Sequence, residues 1–471
     1  MRYVSTRGEA PALDFVEVML AGLARDGGLY VPESWPTLDA KAIAGLAGRP
    51  YAEVAVEVIR PFVGNSLPEA DLARMAREAY GTFRHPAVAP LVQLGPGLFV
   101  LELFHGPTLA FKDLAMQLVA RMMDHVLQQR GERTTVVVAT SGDTGGAAVE
   151  AFRGRSQVDV VVLFPHGRVS DVQRRMMTTA DDTNVHALAI EGTFDDCQAL
   201  VKSMFNHHAF RDRVRLSGVN SINWARIVAQ IVYYFTAAVA LGAPQRKVAF
   251  TVPTGNFGDV FAGYAAARMG LPVDRLLVAT NVNDILARTF ATGAYEIRDV
   301  VATTSPSMDI QVSSNFERLL FDAYDRDVKS VRAMMGSLAQ SRRFSIAAPA
   351  LSKMRALFTA DRADEEESAA TMRAMKREAG YCADPHTAVA LAVAEKEARD
   401  PTIPMIALST AHPAKFPDAV EAACGMRPAL PEWLGDLNAR KERVTVLPAD
   451  QAAVERFVTN ASRAAREGAA A

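Results

Sequence analysis

The sequence predicts an α/β protein with mostly parallel sheets and more than one domain. From about residue 134 onward, short runs rich in β-branched residues alternate with helical patterns. The glycines of this region stand mainly in the loops between them. With 471 residues, the chain is also too long for one hydrophobic core.

The strand predictions come from short apolar runs that end at loops. The first run, residues 134–139, is apolar on both faces, which is typical of a strand inside a parallel sheet. Because helical patterns separate the runs, we expect parallel neighbours joined by right-handed crossovers. The predicted strands are residues 134–139, 158–164, 185–190, 247–252, 275–280 and 403–408.

The helix predictions rest on periodicity and on start signals. Apolar residues recur every four positions through residues 114–126, just after Lys112, and Gly131 marks the end of that helix. Another helix is predicted at residues 194–205. The pair Asp384-Pro385 is typical of a helix start, with the cap residue before the proline.

Composition argues against several classes of partner. A formal net charge of -2 gives no reason to expect binding to nucleic acid or to an anionic membrane. The long charge-free stretch 227–243 contains polar residues and is predicted to be a buried helix. The three cysteines are far apart and form no CxxC pair, which predicts neither disulfides nor a zinc site and favours a reducing cytoplasm.

Lys112 is the candidate catalytic residue. It follows Leu109, Ala110 and Phe111, an apolar run in which an idle ammonium group would be costly. Burial and the positive end of the following helix both disfavour the charged amine, so we expect its pKa to be lowered. Such an amine can form a Schiff base with an aldehyde and later act as a base.

Two glycine-rich loops, residues 140–146 and 253–259, could bind anions. Each follows a predicted strand and precedes a helix, so backbone N–H groups and the helix dipole favour negative charge there. The second loop lacks the GxGxxG spacing of a dinucleotide site and the lysine of a Walker A motif. A plain strand-to-helix turn is the alternative for it. A buried lysine with two such loops is what an enzyme that uses pyridoxal 5'-phosphate needs.

These segments closely resemble the threonine synthase family in its longer-chain form, and the resemblance runs through most of the chain. The segments that carry it are HGPTLAFKD (105–113), TSGDTGG (140–146), NSINWAR (220–226), PTGNFGD (253–259) and STAHPAKF (409–416). The resemblance implies fold type II of the pyridoxal-phosphate enzymes, similar to the tryptophan synthase β subunit. That fold has two α/β domains with the cofactor between them, here with an added N-terminal, mostly helical domain.

Four parts of the chain are expected on this basis. Residues 1–95 contain helical patterns, several prolines and no Gly-rich loop, and would form the N-terminal domain. Residues 96–131 and 245–430 would form the large domain that binds the cofactor. Residues 132–244 would form the small substrate-binding domain, and residues 431–471 a C-terminal extension.

The resemblance also implies the cofactor contacts. Lys112 would bind the aldehyde, the second loop the phosphate, and Thr410 the pyridine nitrogen. Asp259 would use its backbone N–H, because a carboxylate repels phosphate. Many relatives have asparagine beside the phenolic oxygen where this chain has Asp143, so Asp143 is expected to be protonated or to point elsewhere. The implied cofactor residues are Lys112, Asp143, Gly255, Asn256, Phe257, Gly258, Asp259 and Thr410.

Substrate contacts are implied in two segments. The first loop would take the α-carboxylate, and the segment 220–226 would take a phosphate, which a guanidinium can bind bidentately. Helix capping by the same hydroxyl and amide side chains is the alternative in both segments. The implied substrate residues are Thr140, Ser141, Gly142, Thr144, Ser221, Asn223 and Arg226.

The implied activity is loss of phosphate from the γ-carbon of O-phospho-L-homoserine and addition of water at the β-carbon, giving L-threonine. One alternative is a related phospho-lyase that releases 2-oxobutyrate, ammonia and phosphate, which the motifs do not distinguish. A second is a non-catalytic binding protein for a phosphorylated ligand, against which Lys112 argues. A nicotinamide-dependent dehydrogenase is a more distant alternative, because the chain lacks the GxGxxG fingerprint of a dinucleotide site in the loop 253–259. A monomer or homodimer is expected, with no metal.

Overall fold

Two parallel-based β-sheets organise the chain, and the computed structural model describes residues 1–398 and 400–468 of it. The strands are β1 (Tyr3–Ser5), β2 (Tyr30–Pro32), β3 (Leu91–Gly95), β4 (Leu98–Glu102), β5 (Thr134–Ala139), β6 (Val158–Pro165), β7 (Val185–Glu191), β8 (Leu216–Ser217), β9 (Val248–Pro253), β10 (Val273–Thr280), β11 (Ala294–Glu296), β12 (Arg343–Ser345), β13 (Phe358–Arg362), β14 (Met405–Ser409) and β15 (Thr445–Pro448).

Helices cover the sheets and connect successive strands. They are α1 (Phe15–Ala21), α2 (Ala40–Ala44), α3 (Tyr51–Val63), α4 (Glu69–Tyr80), α5 (Lys112–Arg130), α6 (Asp143–Phe152), α7 (Asp171–Thr178), α8 (Phe194–Asn206), α9 (His208–Arg213), α10 (Trp224–Ala240), α11 (Gly258–Arg268), α12 (Ile285–Thr292), α13 (Phe316–Ala323), α14 (Val328–Ser341), α15 (Ala348–Arg355), α16 (Glu365–Ala379), α17 (Pro385–Lys396), α18 (Pro417–Cys424), α19 (Gln451–Ala461) and α20 (Arg463–Gly468). Short 3-10 turns occur at Pro306–Met308, Pro413–Lys415, Glu432–Leu434 and Leu437–Ala439.

The larger sheet has the strand order β13-β10-β9-β14-β4-β3. All neighbouring strands are parallel except the edge strand β3, which pairs with β4 in the antiparallel sense. The smaller sheet, β15-β7-β6-β5-β8, is parallel throughout. Its central strands β5 and β6 are buried along their whole length, as expected for strands covered on both faces.

The sequence predictions of fold class and of the main elements are confirmed. All six predicted strands are present, and their ends differ from the predicted ones by at most two residues. The helix after Lys112 begins at Lys112 itself, one residue earlier than expected, and ends at Arg130 before Gly131 in the left-handed conformation. In residues 1–95 the helices α1 to α4 are the main regular structure.

The apolar stretch around residue 230 is the buried helix α10, with only Thr236 and Ala240 among its residues partly or fully exposed. Trp224 at its start is fully buried and packs against Tyr3, Phe62 and Phe261. The N-terminal segment is therefore attached to the rest of the chain through this helix. In the part of the chain that the structure describes, no helix combines the length and hydropathy needed to span a bilayer.

The C-terminal segment joins the smaller sheet. Strand β15 pairs in parallel with β7, and Val454 and Val458 of α19 belong to the apolar cluster on that face of the sheet. Arg463 adds an ion pair to Asp159, with Nε and Oδ1 2.7 Å apart. We propose the four-part division of the chain expected from the sequence with one correction: β3, expected in the N-terminal domain, pairs with β4 and belongs to the larger sheet. Residues 445–465 pack on the small domain.

Parallel strands bring the functional loops together. The loops after β5, β9 and β14 all leave from the carboxyl ends of their strands, where ligand sites of parallel α/β sheets lie. Phe111, next to Lys112, donates its N–H to the carbonyl oxygen of Thr410 at 2.9 Å. The start of α5 is therefore tied to the loop after β14.

Candidate active site

A cavity of about 1280 Å³ lies where these loops meet. This volume exceeds that of a typical single-ligand pocket, so there is room for a cofactor and a substrate together. The N-terminal segment contributes Arg7 to its wall. The predicted site residues that line it are Lys112, Thr140, Ser141, Asp143, Thr144, Ser221, Arg226, Gly255, Asn256, Phe257, Gly258, Asp259 and Thr410.

Lys112 is the first residue of α5, and its side chain is only 11 % exposed. The ammonium nitrogen Nζ lies 3.2 Å from Asp143 Oδ2 and 4.7 Å from the centre of the Phe111 ring. Burial lowers the pKa of Lys112, the nearby Asp143 opposes this effect, and Lys415 and Arg226 add to it. The amine is therefore easier to deprotonate than an ordinary lysine, as a proton carrier requires.

Asp143, at the start of α6, binds two lysines. Its Oδ1 accepts from Lys415 Nζ at 2.7 Å and from Gln173 Nε2 at 2.9 Å, while Oδ2 faces Lys112. Burial by itself would raise the pKa of Asp143, but Lys415, Lys112 and Gln173 outweigh burial and hold that pKa well below its usual range. Of the two expectations for Asp143, protonation does not fit this arrangement, and the carboxylate points to the lysines.

The second loop is held from outside by the chain at residues 307–315. Ser313 donates to the carbonyl oxygen of Gly255 at 2.7 Å, and the N–H of Asn315 donates to that of Asn256 at 3.0 Å. Because the C=O and N–H of a trans peptide point in opposite directions, the N–H groups of Asn256 and Phe257 face the other side. Phe257 has φ of 61° and its ring is buried, so it anchors the loop at the start of α11. This is an anion-binding geometry.

The side chain of Asp259 turns toward α10. Its Oδ1 accepts hydrogen bonds from Tyr233 at 2.5 Å and from Tyr234 at 2.9 Å. Burial raises the pKa of Asp259 to about 6. The expectation that this residue offers its backbone to an anion, and not its carboxylate, agrees with this orientation.

In the first loop, Thr140 acts as a local cap. Its hydroxyl oxygen accepts from the N–H groups of Gly142 and Gly145, both at 2.9 Å. Gly142 does not line the cavity; it has φ of 139°, and a Cβ there would lie 2.4 Å from the Gln173 side chain. Ser141 and Thr144 thus remain the hydroxyl side chains of this loop for which we propose a substrate contact.

In the segment 220–226, too, one predicted substrate residue caps a helix while the others line the cavity. Asn223 is fully buried, caps α10 by accepting from the N–H of Ala225, and donates to the carbonyl oxygens of Met19 and Gly218. It does not line the cavity. Ser221 and Arg226 do line it.

The Arg226 guanidinium is almost completely buried. It donates to the Val219 carbonyl oxygen at 3.0 Å, and its Nε has no partner within the described residues. Burial lowers the pKa of Arg226 to about 10, so it is still charged at neutral pH. An unsatisfied buried cation at a cavity wall is suited to binding an anionic group.

Sequence reasoning missed three residues of this site. Lys415 and Gln173 both bind Asp143, and His386 lines the cavity with its Nδ1 2.9 Å from Asp384 Oδ1. Lys415 follows the apolar pair Pro413-Ala414 in a segment already assigned to the site, and that position was a usable signal. Gln173 is distant in sequence from the loop that it supports, and no local pattern points to it. His386 directly follows the helix start Asp384-Pro385, but with no metal-ligand spacing around it the sequence favours a structural role for this residue.

Comparison with known proteins agrees with this geometry. Family models match three stretches: "Threonine synthase N terminus" at residues 2–80, "Pyridoxal-phosphate dependent enzyme" at 82–357 and "Threonine synthase, C-terminal" at 387–458. The threonine synthase of Pseudomonas aeruginosa is 54% identical over 460 residues, which cover 98% of each chain.

Solved structures are similar along the whole chain. The crystal structure of PLP-bound threonine synthase from Brucella melitensis has a TM-score of 0.95 at 62% identity, covering 98% of this chain and 100% of that one. Threonine synthase from yeast has a TM-score of 0.92 at 39% identity, with 98% of each chain covered.

The fold and the site define a pyridoxal-phosphate-dependent enzyme of fold type II. Within that class, the chain belongs to the threonine synthase family.

Proposed function

We propose that this chain converts O-phospho-L-homoserine and water to L-threonine and inorganic phosphate. The observation that carries the proposal is the meeting, in one cavity, of the buried amine of Lys112, two glycine-rich loops and the buried cation of Arg226. The substrate brings a carboxylate and a phosphate, and the cofactor brings a second phosphate. Three anionic groups therefore need three places, and the cavity offers three.

The residues present fit pyridoxal 5'-phosphate. Lys112 is buried, has a pKa lowered by that burial and is open to the cavity, as a bond to the aldehyde requires. The N–H groups of the loop 255–259 would hold the phosphate, and the Thr410 hydroxyl would meet the ring nitrogen. When bound, the cofactor supplies an electron sink, which lowers the energy needed to remove a proton from the substrate α-carbon.

Two separate anion-binding sites would hold the substrate. Ser141 and Thr144, at the positive end of α6, would bind the α-carboxylate. Ser221 and Arg226 would bind the phosphate that leaves. Because the carboxylate stays while the phosphate departs, the division of these anions between two loops holds the carbon skeleton in place for the addition of water.

Lys112 would move the protons. Its lowered pKa lets the amine take the proton from the α-carbon and return it later, and such general acid–base catalysis contributes roughly 10²–10⁴-fold. Asp143 lies within hydrogen-bonding distance and would keep the released amine beside the cavity.

We also propose a cytoplasmic location and a monomer or homodimer. Cys197, Cys382 and Cys424 are free thiols, which agrees with a reducing compartment.

The test is to incubate the purified protein, loaded with pyridoxal 5'-phosphate, with O-phospho-L-homoserine and to identify the organic product by mass. Threonine with an equal amount of phosphate supports the proposal. 2-Oxobutyrate with ammonia would replace it by the phospho-lyase activity, and absence of any product would leave only a binding role. The Lys112→Ala variant is the control, since it should give no product.

A further inference from the structure

Lys415 shares the carboxylate that holds the catalytic amine. Its Nζ is fully buried and lies 2.7 Å from Asp143 Oδ1, whereas Lys112 Nζ lies 3.2 Å from Oδ2 of the same side chain. Lys415 also donates to the carbonyl oxygen of Thr108, four residues before Lys112, at 2.8 Å. One carboxylate therefore serves two buried ammonium groups and cannot fully neutralise both.

The geometry gives Lys415 the stronger share. Its bond to Asp143 is the shorter one, and its side chain has no solvent exposure. Gln173 adds a second donor to the same oxygen at 2.9 Å. Lys415 is itself fixed by the turn Pro413–Lys415, whose last carbonyl oxygen accepts from the Ser170 hydroxyl at 3.3 Å. Lys112 is left with the less engaged oxygen at a longer distance.

We propose that Lys415 is a positioning residue for Lys112: by competing for Asp143, it prevents a closed ion pair and keeps the catalytic amine close to the cavity but reactive. The inference rests on the proposed function, which makes Lys112 the catalytic residue. It gives Asp143 a role that asparagine could not fill, because an amide attracts neither lysine strongly.

Two other charged groups act on Lys112 from neighbouring helices. Arg226 on α10 disfavours the charged amine, and Asp259 on α11 interacts with it favourably when ionised. Neither residue is altered in variants of residue 415 or 143. A difference between such variants therefore reports on the Lys415–Asp143 pair.

The proposal predicts shifts in opposite directions for two variants. In Lys415→Met, Asp143 pairs with Lys112 alone and favours the charged amine. In Asp143→Asn, the attraction is lost while Lys415 still repels, so the neutral amine is favoured. Since an opposite charge at this distance moves a pKa by about 1–3 units, we expect displacements of about 1 pH unit each way.

The measurement is recapture of pyridoxal 5'-phosphate by the full-length protein after its cofactor has been removed. The neutral Nζ attacks the aldehyde carbon, a carbon–nitrogen double bond forms and one water leaves, which changes the absorbance. The midpoint of the rate against pH follows the ionisation of Lys112. We expect this midpoint to rise in Lys415→Met and to fall in Asp143→Asn.

Two further variants serve as controls. Lys415→Arg keeps the charge and should restore a midpoint near that of the parent protein. Lys353→Met removes an exposed lysine that is paired with Asp325 at 2.7 Å, and it should change nothing.

A purely structural role for Lys415 would slow capture in Lys415→Met without raising the midpoint, and that result would overturn the proposal. If Lys415→Met does not fold, Lys415→Gln is measured in its place, and a midpoint that is unchanged or lower contradicts the proposal. Capture is measured without substrate. Failure of the proposed function would therefore appear separately, as intact capture without threonine.

Discussion

Tyr233 donates its hydroxyl hydrogen to Asp259 Oδ1 at 2.5 Å, beneath the loop proposed to hold the cofactor phosphate. Tyr234 donates to the same oxygen, and both rings are fully buried in α10. The first turn of α11 is thus joined to α10 through one carboxyl group. This contact turns the Asp259 side chain away from the anion-binding N–H groups.

The first prediction concerns pH and stability. Burial raises the pKa of Asp259 from 3.8 to about 6. Between these values the folded protein binds more protons than the unfolded chain, so this group lowers the free energy of unfolding as pH rises, by about 3 kcal/mol in all. Asp259→Asn keeps the acceptor for both tyrosines and removes this dependence. Urea unfolding of the cofactor-free protein across about pH 4 to 6.5 checks it, and parallel curves for the two proteins would refute it.

The second prediction concerns the loop that carries Gly255. A Cβ at this residue would lie 2.9 Å from the Ser307 carbonyl oxygen, which is backbone and cannot rotate away. Gly255→Ala should therefore displace the loop, cost about 1–3 kcal/mol of stability and weaken cofactor binding about tenfold. A cofactor titration followed by absorbance measures the latter.

Gly336→Ala is the matched control for that variant. Gly336 lies in α14, and nothing stands within 4 Å of the position of its Cβ. This change should raise stability by about 0.5–1 kcal/mol and leave cofactor affinity unaltered. Equal loss of affinity in both variants would show that the contact with Ser307 is irrelevant.

The third prediction separates substrate binding from capping in the segment 220–226. Arg226→Lys keeps a charge but loses the planar fork, so KM for O-phospho-L-homoserine should rise about tenfold while the fold persists. Asn223→Ala removes a helix cap, so it should lower stability by about 1–2 kcal/mol and leave KM unchanged. Steady-state kinetics and thermal melts of both variants check this. A higher KM in Asn223→Ala with an unchanged KM in Arg226→Lys would reverse the assignment.

Much of the fold follows from local patterns. The apolar runs that became β5, β6 and β9 are buried on both faces, and burial of that kind leaves a clear signal in sequence. The pairing of β15 with β7 could not be predicted in this way, because it joins segments more than 250 residues apart. Val446 of β15 is exposed, so this strand lacks the apolar run of a buried strand.

Part of the site could be predicted from the sequence for the same reason. Glycine loops and a lysine in an apolar run are local features, so Lys112 and both loops could be found. Which hydroxyl or amide caps a helix and which faces the cavity depends on the tertiary direction of each side chain. Thr140 and Asn223 turned inward to backbone groups, whereas Ser141 and Ser221 did not. The pairing of Lys415 with Asp143 could not be predicted, because it depends on how three distant segments of the chain, around residues 112, 143 and 415, come together in the fold.

The central claim, that Lys112 carries the cofactor, is tested most directly by reduction of the loaded protein with borohydride, followed by peptide mass mapping. Reduction makes the bond between lysine and cofactor permanent, so the added mass marks one residue. The account predicts the mass on the peptide that contains Lys112. Finding the added mass on Lys415, which pairs with the same Asp143 carboxylate, or on no lysine would contradict the account.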